Sequence, residues 1–371
     1  MDILFFILRR IKHFFKLVVN PNRYLSKKES YYPNDPQKSK FNILIDQLYF
    51  ILKYGGLEKY YFTYGFDRKS MTFQKMKEYI INEGAFLRKV DYHNDHINKK
   101  HGRFSGRAII SDKFYFYLFL KSLDVPTPRV FFYSRNGGLL YIDKTLHTTK
   151  IEDIKTIFET DFDGFAKPYG GQLGDGAFSL KVKESNVFVN GELELDKNKL
   201  IQTLTKTNYI VQERIVQHPR MNRLCSTSLN TIRLQTLITE NEEIIAFSAG
   251  VRMGREGSIV DNWAKGGVFV GIDMNTGRLH KTGYIKPPFG KTVIQHPDNG
   301  LTFEGFEIPF FKNAVEMAKD LHSKLYRIHS IGWDIAITEK GPMFIEGNSL
   351  WEISLLQASS GGLKSIEKYF D

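Results

Sequence analysis

Cysteine is nearly absent from this sequence, since Cys225 is the only one. A single thiol excludes an intrachain disulfide and fits a protein of a reducing compartment. The sequence also lacks the cysteine and histidine spacing of a zinc site and any RNA-recognition signature. We therefore expect no nucleic-acid partner, and we interpret Cys225 as a small structural residue rather than a nucleophile.

Long apolar runs are missing as well. The apolar N-terminus is interrupted by Arg9, Arg10 and Lys12, so we predict no transmembrane span there. No small-residue cleavage site of a signal peptide follows it. We expect a cytoplasmic protein, with peripheral attachment to the inner membrane face as an option.

Basic charge is what the chain has in excess. It carries 52 lysines and arginines against 41 acidic residues, a net charge of +11 over 371 residues. This excess favours polyanionic or phosphorylated partners, or an anionic membrane surface. A hydrophobic content of 42% is ordinary for a globular protein, and the length allows two or three subdomains.

The N-terminus has the pattern of a basic amphipathic helix. Residues 3–19 place Ile11, Phe14 and Val18 at spacings of three and four, with the basic residues mostly on other sides. Such a helix can lie on an anionic membrane, pack on the protein's own core or pair with a second copy. Periodicity alone does not separate these alternatives. The polar, proline-containing segment 26–39 is interpreted as a linker.

Residues 41–107 show structural patterns only. Segments 41–62 and 70–83 are predicted to be helical. The basic segment 91–107 contains three histidines, His93, His96 and His101. Because we find no acidic or cysteine partner at ligand spacing, we interpret this segment as an exposed loop rather than a metal site.

A glycine-rich loop follows a short strand at 164–168, which carries Lys167 near its end. The loop contains four glycines in seven residues: Gly170, Gly171, Gly174 and Gly176. Glycines let backbone N–H groups approach phosphate oxygens, and the lysine adds a positive charge. The spacing is neither a Walker A motif nor a dinucleotide fingerprint, and a flexible hairpin turn remains the alternative.

Two long strands, 229–239 and 243–252, are predicted to pair across a short turn. They carry Asn230, Arg233 and Arg252, which alternate with apolar residues and can share one face. A solvated face is the alternative. Other predicted elements are a helix capped by Ser111 or Asp112, strands at 130–133, 178–183, 187–189, 209–215 and 268–272, and a core helix at 310–325.

A hairpin near the end of the chain carries the most informative polar residues. Two short strands, 332–338 and 343–348, are joined by a turn that contains glycine. Glu346 and Asn348 share one face, and Asp334 joins them if the loop holds three residues, whereas a two-residue loop puts it on the opposite face. Three oxygen side chains together would form a Mg²⁺ site with positions open for phosphate. Solvated polar residues on a half-exposed hairpin are the alternative.

The order of these motifs resembles the ATP-grasp superfamily and, more narrowly, the sugar-transfer-associated ATP-grasp family. The resemblance covers about residues 105 to 350. Its motifs are Lys113, Lys167-Pro168 with the glycine loop, Gln212–Ile215, Ser228–Arg233, Arg252–Arg255, Val260–Asn262 before Gly266-Gly267, His296-Pro297, Gly332–Asp334 and Ile345–Asn348.

The resemblance implies an α+β ATP-grasp fold, in which two α+β lobes clamp ATP behind an N-terminal helical extension. The phosphates would be held by Lys113, Lys167, Gly170, Gly171, Gly174 and Gly176, and the adenine edge by Gln212, Glu213 and Ile215. Mg²⁺ would be bound by Asp334, Glu346 and Asn348. The transferring phosphate would face Arg233 and Arg252. We assign the substrate to Asn230, Asp261 and Asn262, with Lys265 as a catalytic residue of the same loop.

The implied activity is an ATP-dependent ligation of a carboxylate to an amine through an acyl phosphate, on a sugar or cell-surface polysaccharide precursor. A kinase acting on a sugar or polyol hydroxyl is the first alternative, and a non-catalytic nucleotide-binding scaffold at the membrane is the second. We divide the chain into residues 1–40, 41–104 and 105–371, with lobes at about 146–212 and 213–371.

Overall fold

The computed structural model describes residues 2–26, 31–101, 106–142, 146–169, 176–206, 208–257, 266–285 and 290–370. Within these residues a helical N-terminal region precedes two antiparallel sheets, one of eight strands and one of seven. The predicted α+β class is therefore confirmed.

The N-terminal region is helical, as expected. Its helices are α1 (Asp2–Val19), α2 (Pro21–Leu25), α3 (Lys40–Tyr54), α4 (Phe73–Met76) and α5 (Glu83–His101). Helix α3 begins where the Ser39 side chain accepts a hydrogen bond from the Asn42 backbone, and it ends at Gly55, whose φ of 72° suits glycine. None of the described helices has the length and apolar character needed to cross a membrane.

Two sequence predictions in this region were wrong. The segment predicted as a loop at 91–107 is helical as far as His101, because Phe86 and Val90 give α5 an apolar side that packs into a buried cluster. The segment predicted as a helix at 70–83 is helical only in α4, and Asn82 has a positive φ of 67° just before α5. In the segment predicted as a linker, Tyr31 is buried.

The first sheet contains the strands between residues 130 and 213. In sheet order they are β3 (Thr148–Lys150), β2 (Gly138–Ile142), β1 (Val130–Arg135), β8 (Tyr209–Glu213), β4 (Phe162–Pro168), β5 (Phe178–Lys183), β6 (Asn186–Val189) and β7 (Glu192–Leu193). One face, which includes Ala166 and Val211, packs against Leu200 and Leu204 of α8 (Lys197–Lys206). Because side chains alternate along a strand, Lys167 lies on the other face.

The second sheet contains the long central strands. Its order is β13 (Thr292–Val293), β12 (Leu279–Ile285), β11 (Val268–Ile272), β10 (Ile244–Met253), β9 (Thr231–Ile238), β14 (Ser330–Thr338) and β15 (Gly341–Asn348). On β14, Ile331, Trp333 and Ile335 belong to the core that includes α10 (Phe311–Lys324). The alternating residues, including Asp334, therefore lie on the face away from α10.

A helix between the sheets joins them. This helix, α7 (Lys113–Ser122), follows the short α6 (Arg107–Ser111). Phe114 stacks on Tyr133 of the first sheet with ring centroids 4.0 Å apart, whereas Phe116 packs in the core of the second sheet. Lys113 is thereby placed between the two sheets. The remaining helices are α9 (Pro219–Asn222), α11 (Ser354–Ser360) and 3₁₀ helices at Ile154–Phe158 and Lys364–Phe370.

Candidate functional site

The β14–β15 hairpin brings two carboxylates together through a β-bulge. Thr338 pairs with Gly341, so the turn holds two residues, and such a turn alone would put Asp334 on the opposite face from Glu346. The register shifts at Ile345, however, and Asp334 lies directly opposite Glu346, while Gly332 lies opposite Asn348. The extra residue restores the shared face. Asp334 therefore shares a face with Glu346 and Asn348 as expected, but the bulge at Ile345 and not the length of the turn is the reason.

Two arginines hold Asp334. Arg233 lies directly across from Asp334 in the β9–β14 pair, and its Nε is 3.1 Å from Asp334 Oδ1. Arg252, on β10, places Nη2 2.6 Å from Asp334 Oδ2. The Asp334 side chain is 4% exposed, and the arginine side chains are 20% and 18% exposed. The strand alternation therefore does gather Arg233 and Arg252 on one largely buried face.

Glu346 faces the lysines. Lys113 Nζ lies 3.8 Å from Glu346 Oε2 and donates a hydrogen bond to the carbonyl oxygen of Tyr169 at 3.3 Å. Burial acts to raise the pKa of Glu346, but the charges of Lys167 and Lys113, and then of both arginines, outweigh it and hold this pKa at about 2. Glu346 is thus a carboxylate at neutral pH, although it is partly buried, with its side chain 30% exposed.

Lys167 is the contribution of the first sheet to the site. It pairs with Ile210 near the end of β4 and is half-buried. Burial is the largest cause that lowers the pKa of Lys167, to about 8, and the positive charge of Lys113 acts in the same direction. Glu346 and Asp334 oppose this shift. An ammonium group that is partly desolvated, and whose pKa lies near neutral pH, is strongly stabilised in its charged form by an added anion such as a phosphate group.

Asp112 orients Lys113. As the N-cap of α7, its side chain accepts hydrogen bonds from the backbone nitrogens of Phe114 and Tyr115, at 2.8 and 2.9 Å. The first turn of α7 is thereby fixed, with Lys113 as its first residue. This cap was one of the two predicted from the sequence.

The segment predicted to meet adenine connects the two sheets. Gln212 is buried and shares the strand face of Ile210, on which Lys167 also lies. The Glu213 carboxylate instead accepts a hydrogen bond from the Arg129 backbone at 3.0 Å. Ile215 follows, half-buried, on the way to the second sheet. The side chains differ in direction, and Gln212 is the one that lies on the strand face of Lys167.

Part of the predicted phosphate loop can be placed. Gly176 has a φ of 75°, and its carbonyl oxygen accepts a hydrogen bond from the Tyr209 hydroxyl at 2.8 Å. The loop end is therefore anchored to β8 beside Lys167. Six predicted residues lie outside the described residues: Gly170, Gly171, Gly174, Asp261, Asn262 and Lys265.

Asn230 is not brought to the charged cluster. It immediately precedes Thr231, and its amide nitrogen donates to Gln217 Oε1 and to the carbonyl oxygens of Met221 and Cys225, at 2.8–3.0 Å. These bonds make Asn230 the centre of the loop before β9. Thr231, which sequence reasoning missed, does reach the cluster, since its hydroxyl accepts from Arg252 Nε at 3.2 Å. Its position two residues before Arg233 was the available signal.

Two motifs that are far apart in the sequence, Arg252–Arg255 and His296-Pro297, meet after the end of β10. Arg255 binds Asp298 with Nε at 2.9 Å and Nη2 at 2.7 Å, and the buried His296 contacts the Gly254 carbonyl oxygen at 3.0 Å. The Arg255 guanidinium lowers the pKa of Asp298 to about 2. These contacts fix the backbone directly after β10, and with it the end of the strand that carries Arg252.

The donor set fits a magnesium ion. Asp334 and Glu346 supply carboxylate oxygens, and Asn348 lies on the same side of β15 as Glu346. The Asn348 amide nitrogen donates to the Gly332 carbonyl oxygen at 3.4 Å, so the amide oxygen is the atom left for a metal. Three hard oxygen donors with further positions supplied by phosphate or water suit Mg²⁺.

Residues 93–369 match the family described as sugar-transfer associated ATP-grasp. A search of curated proteins gave no match. An ADP complex of N5-carboxyaminoimidazole ribonucleotide synthetase is 12% identical over 69% of this chain and 50% of its own, with a TM-score of 0.39.

Two further solved structures are similar at the same low level. D-alanine–D-alanine ligase from Bacillus anthracis, complexed with ATP, is 12% identical over 68% of this chain and 60% of its own, with a TM-score of 0.35. L-amino acid ligase from Bacillus licheniformis is 10% identical over 70% of this chain and 48% of its own, also with a TM-score of 0.35. The chain thus spans about half to three-fifths of the length of these proteins.

Proposed function

The chain belongs to the sugar-transfer-associated ATP-grasp family, and we propose that it is a Mg·ATP-dependent ligase that joins a carboxylate to an amine. The observation that supports this most is the charged cluster between the sheets. Lys167 from the first sheet, Lys113 from α7 and Arg233 and Arg252 from the second sheet surround two carboxylates. Such an arrangement complements a polyphosphate with its metal. The proposal that the substrate is a sugar or a cell-surface polysaccharide precursor rests on the family description.

The proposed reaction has two steps. A substrate carboxylate oxygen attacks the γ-phosphorus of ATP, and ADP leaves with formation of an acyl phosphate. The amine then attacks the acyl carbon, phosphate leaves, and the nitrogen loses a proton to give the amide. Both steps need positioned cations rather than a protein nucleophile. This agrees with the environment of Cys225, which is buried and contacts Ser228 and Thr227 through its sulfur.

Residue roles follow from position. The ammonium groups of Lys113 and Lys167 would neutralise phosphate oxygens, and Arg233 and Arg252 would face the transferring phosphate. The segment 212–215 would border the adenine. Asp334, Glu346 and Asn348 would hold Mg²⁺, which supplies further charge neutralisation when bound. Closure of the loop 170–176 over the phosphates, and contact of Asp261, Asn262 and Lys265 with substrate, remain part of this proposal.

Release of ADP and phosphate tests this function. The full chain would be incubated with Mg·ATP and pairs drawn from amino acids, uronic acids and aminosugars. Release that requires both a carboxylate and an amine, and is lost in Lys167→Ala, is the expected result. Lys183→Ala is the matched control, because Lys183 lies on the same sheet but its side chain is 63% exposed. Phosphate found on a hydroxyl would instead identify a kinase, and ATP bound without turnover would favour a scaffold.

We also propose that residues 1–20 attach the chain to an anionic membrane surface on the cytoplasmic side. Helix α1 contacts the rest of the chain through the edge that carries Arg10, His13 and Leu17. Leu17 is buried, Arg10 Nε donates to the Leu52 carbonyl oxygen at 2.9 Å, and His13 accepts a hydrogen bond from the backbone at 3.4 Å. This edge lies largely opposite the apolar stripe that the helical spacing creates.

The apolar side of α1 is left outside, which supports a lipid partner. Its side chains are 45–67% exposed: Leu4, Ile7, Leu8, Ile11, Phe14, Phe15, Val18 and Val19. On α3, the exposed Phe41, Ile45 and Leu52 extend this surface beside the α1 contact. Helices α1 and α2 carry five lysines and arginines and one acidic residue. This charge favours anionic lipid over a second copy of a chain with a net charge of +11.

Vesicle co-sedimentation tests the membrane proposal. The wild-type chain is expected to bind phosphatidylcholine vesicles that contain phosphatidylserine, and to bind pure phosphatidylcholine much more weakly. The Leu8→Glu, Phe15→Glu double variant should lose binding. A Leu193→Glu, Leu195→Glu variant, altered at exposed positions of the first sheet, should retain it. Equal binding by both variants, or dimers that only the α1 variant disperses, would contradict the proposal.

A further inference from the structure

Both oxygens of the predicted metal ligand Asp334 already have cationic partners. Arg233 Nε is 3.1 Å from Oδ1 and Arg252 Nη2 is 2.6 Å from Oδ2. The strand register enforces these contacts, because Arg233 lies directly across from Asp334 and Arg252 is held to Thr231 by a 3.2 Å hydrogen bond. A metal ion that binds Asp334 must therefore compete with two guanidinium groups.

The charge of the whole cluster disfavours a lone metal ion. Lys113, Lys167, Arg233 and Arg252 all act on the pKa of Glu346 and so lie within electrostatic reach of the carboxylate pair. Four cationic side chains around two carboxylates leave an excess of positive charge. A divalent cation added to this cluster would be repelled at short range in a poorly hydrated environment. The negative charges of nucleotide phosphates reverse the sign of the net charge of the cluster.

We propose that the nucleotide-free site excludes Mg²⁺, and that polyphosphate opens the metal position by drawing Arg233 and Arg252 away from Asp334. Before nucleotide binds, the arginines contact the carboxylate oxygens of the metal ligand Asp334. After nucleotide binds, they contact the phosphate. Nucleotide therefore binds before the metal or together with it, and the free metal does not bind. This inference rests on the proposed nucleotide function of the same site.

Substitution of either Arg252 or Arg233 tests this proposal. Arg252→Gln removes one charge and one partner of Asp334 and keeps a shorter, neutral polar side chain on the same strand. Arg233→Gln does the same from β9, and provides a second variant in case one does not fold. Each is expected to gain affinity for Mn²⁺ in the absence of nucleotide by about tenfold or more, because one unit charge near a divalent ion has been removed. Adding Asp334→Asn to either variant should abolish the gain.

Mn²⁺ is the probe, and its free concentration is measured by electron paramagnetic resonance with the full nucleotide-free chain. The expected result is little binding by wild type and clear binding by the arginine variants. Equal Mn²⁺ affinity of wild type and folded variants, whether all bind or none does, would overturn the proposal. ADP titration by calorimetry in EDTA and in Mg²⁺ is run in parallel. Absence of ADP binding in both would count against the proposed function, whereas ADP binding in either condition upholds the nucleotide site and leaves the Mn²⁺ result to decide the metal proposal.

Discussion

Replacing Asp334 by asparagine tests how strongly this carboxylate stabilises the fold. The substitution keeps the size of the side chain and removes the charge that faces Arg233 and Arg252. Removing one member of a buried ion pair costs about 3–5 kcal/mol, because the remaining charge is left without compensation. The two arginine side chains are 20% and 18% exposed and retain part of their hydration. We therefore expect the free energy of unfolding to fall by about 2–4 kcal/mol.

A control is available in the turn after β13. Asp298→Asn removes a carboxylate that also binds an arginine, but this pair is more exposed, with Arg255 37% and Asp298 17% exposed. Solvent screens the more exposed pair, so the control should lose less stability than Asp334→Asn. Urea unfolding at pH 7, followed by circular dichroism, gives both values. Equal losses in the two variants would refute the reasoning that burial makes the Asp334 charge important.

Three further predictions concern groups that support the site. His322 should contribute about 2 kcal/mol to the loss of stability between pH 7 and pH 5, since burial lowers its pKa to about 4 and only the unfolded chain takes up the proton below the ordinary value of 6.5. Urea midpoints at the two pH values measure this loss, and a His322→Gln variant with the same pH dependence would contradict its origin. Asn230→Ala should lower the free energy of unfolding, measured with urea, by about 1–3 kcal/mol, because it leaves buried loop carbonyls unpaired. A loss no larger than that caused by Asn222→Ala, at an exposed position, would argue against this role. Gly176→Ala should lower the melting temperature more than Gly137→Ala: both have a φ of 75°, but only at Gly176 would the added methyl lie near Pro168 and the Tyr209 hydroxyl, at 3.1 and 3.2 Å. Equal shifts in differential scanning fluorimetry would show that the contacts at Gly176 do not matter.

Local patterns in the sequence predicted most of the elements that carry the site. Strand β11 was predicted at 268–272 and has those bounds, because a short, mostly apolar run between Gly267 and Asp273 leaves few alternatives. Asp112 caps α7 as one of the two predicted residues, since capping needs only a side chain and the next turn of backbone. Alternation along β9 and β10 likewise anticipated that Arg233 and Arg252 share a face. The family match confirms the resemblance on which the assigned roles depend.

Contacts between distant segments were decided by the tertiary structure. The register of β14 and β15 depends on a bulge at Ile345, which turn length does not reveal. Asn230 immediately precedes β9, and buried carbonyl groups from a neighbouring loop take up its amide. The pairing of both arginines with Asp334 requires three strands to meet in one register. Sequence alone determined which residues alternate and where helices begin, because these depend on neighbours in the chain, whereas partners across strands depend on packing of the whole sheet.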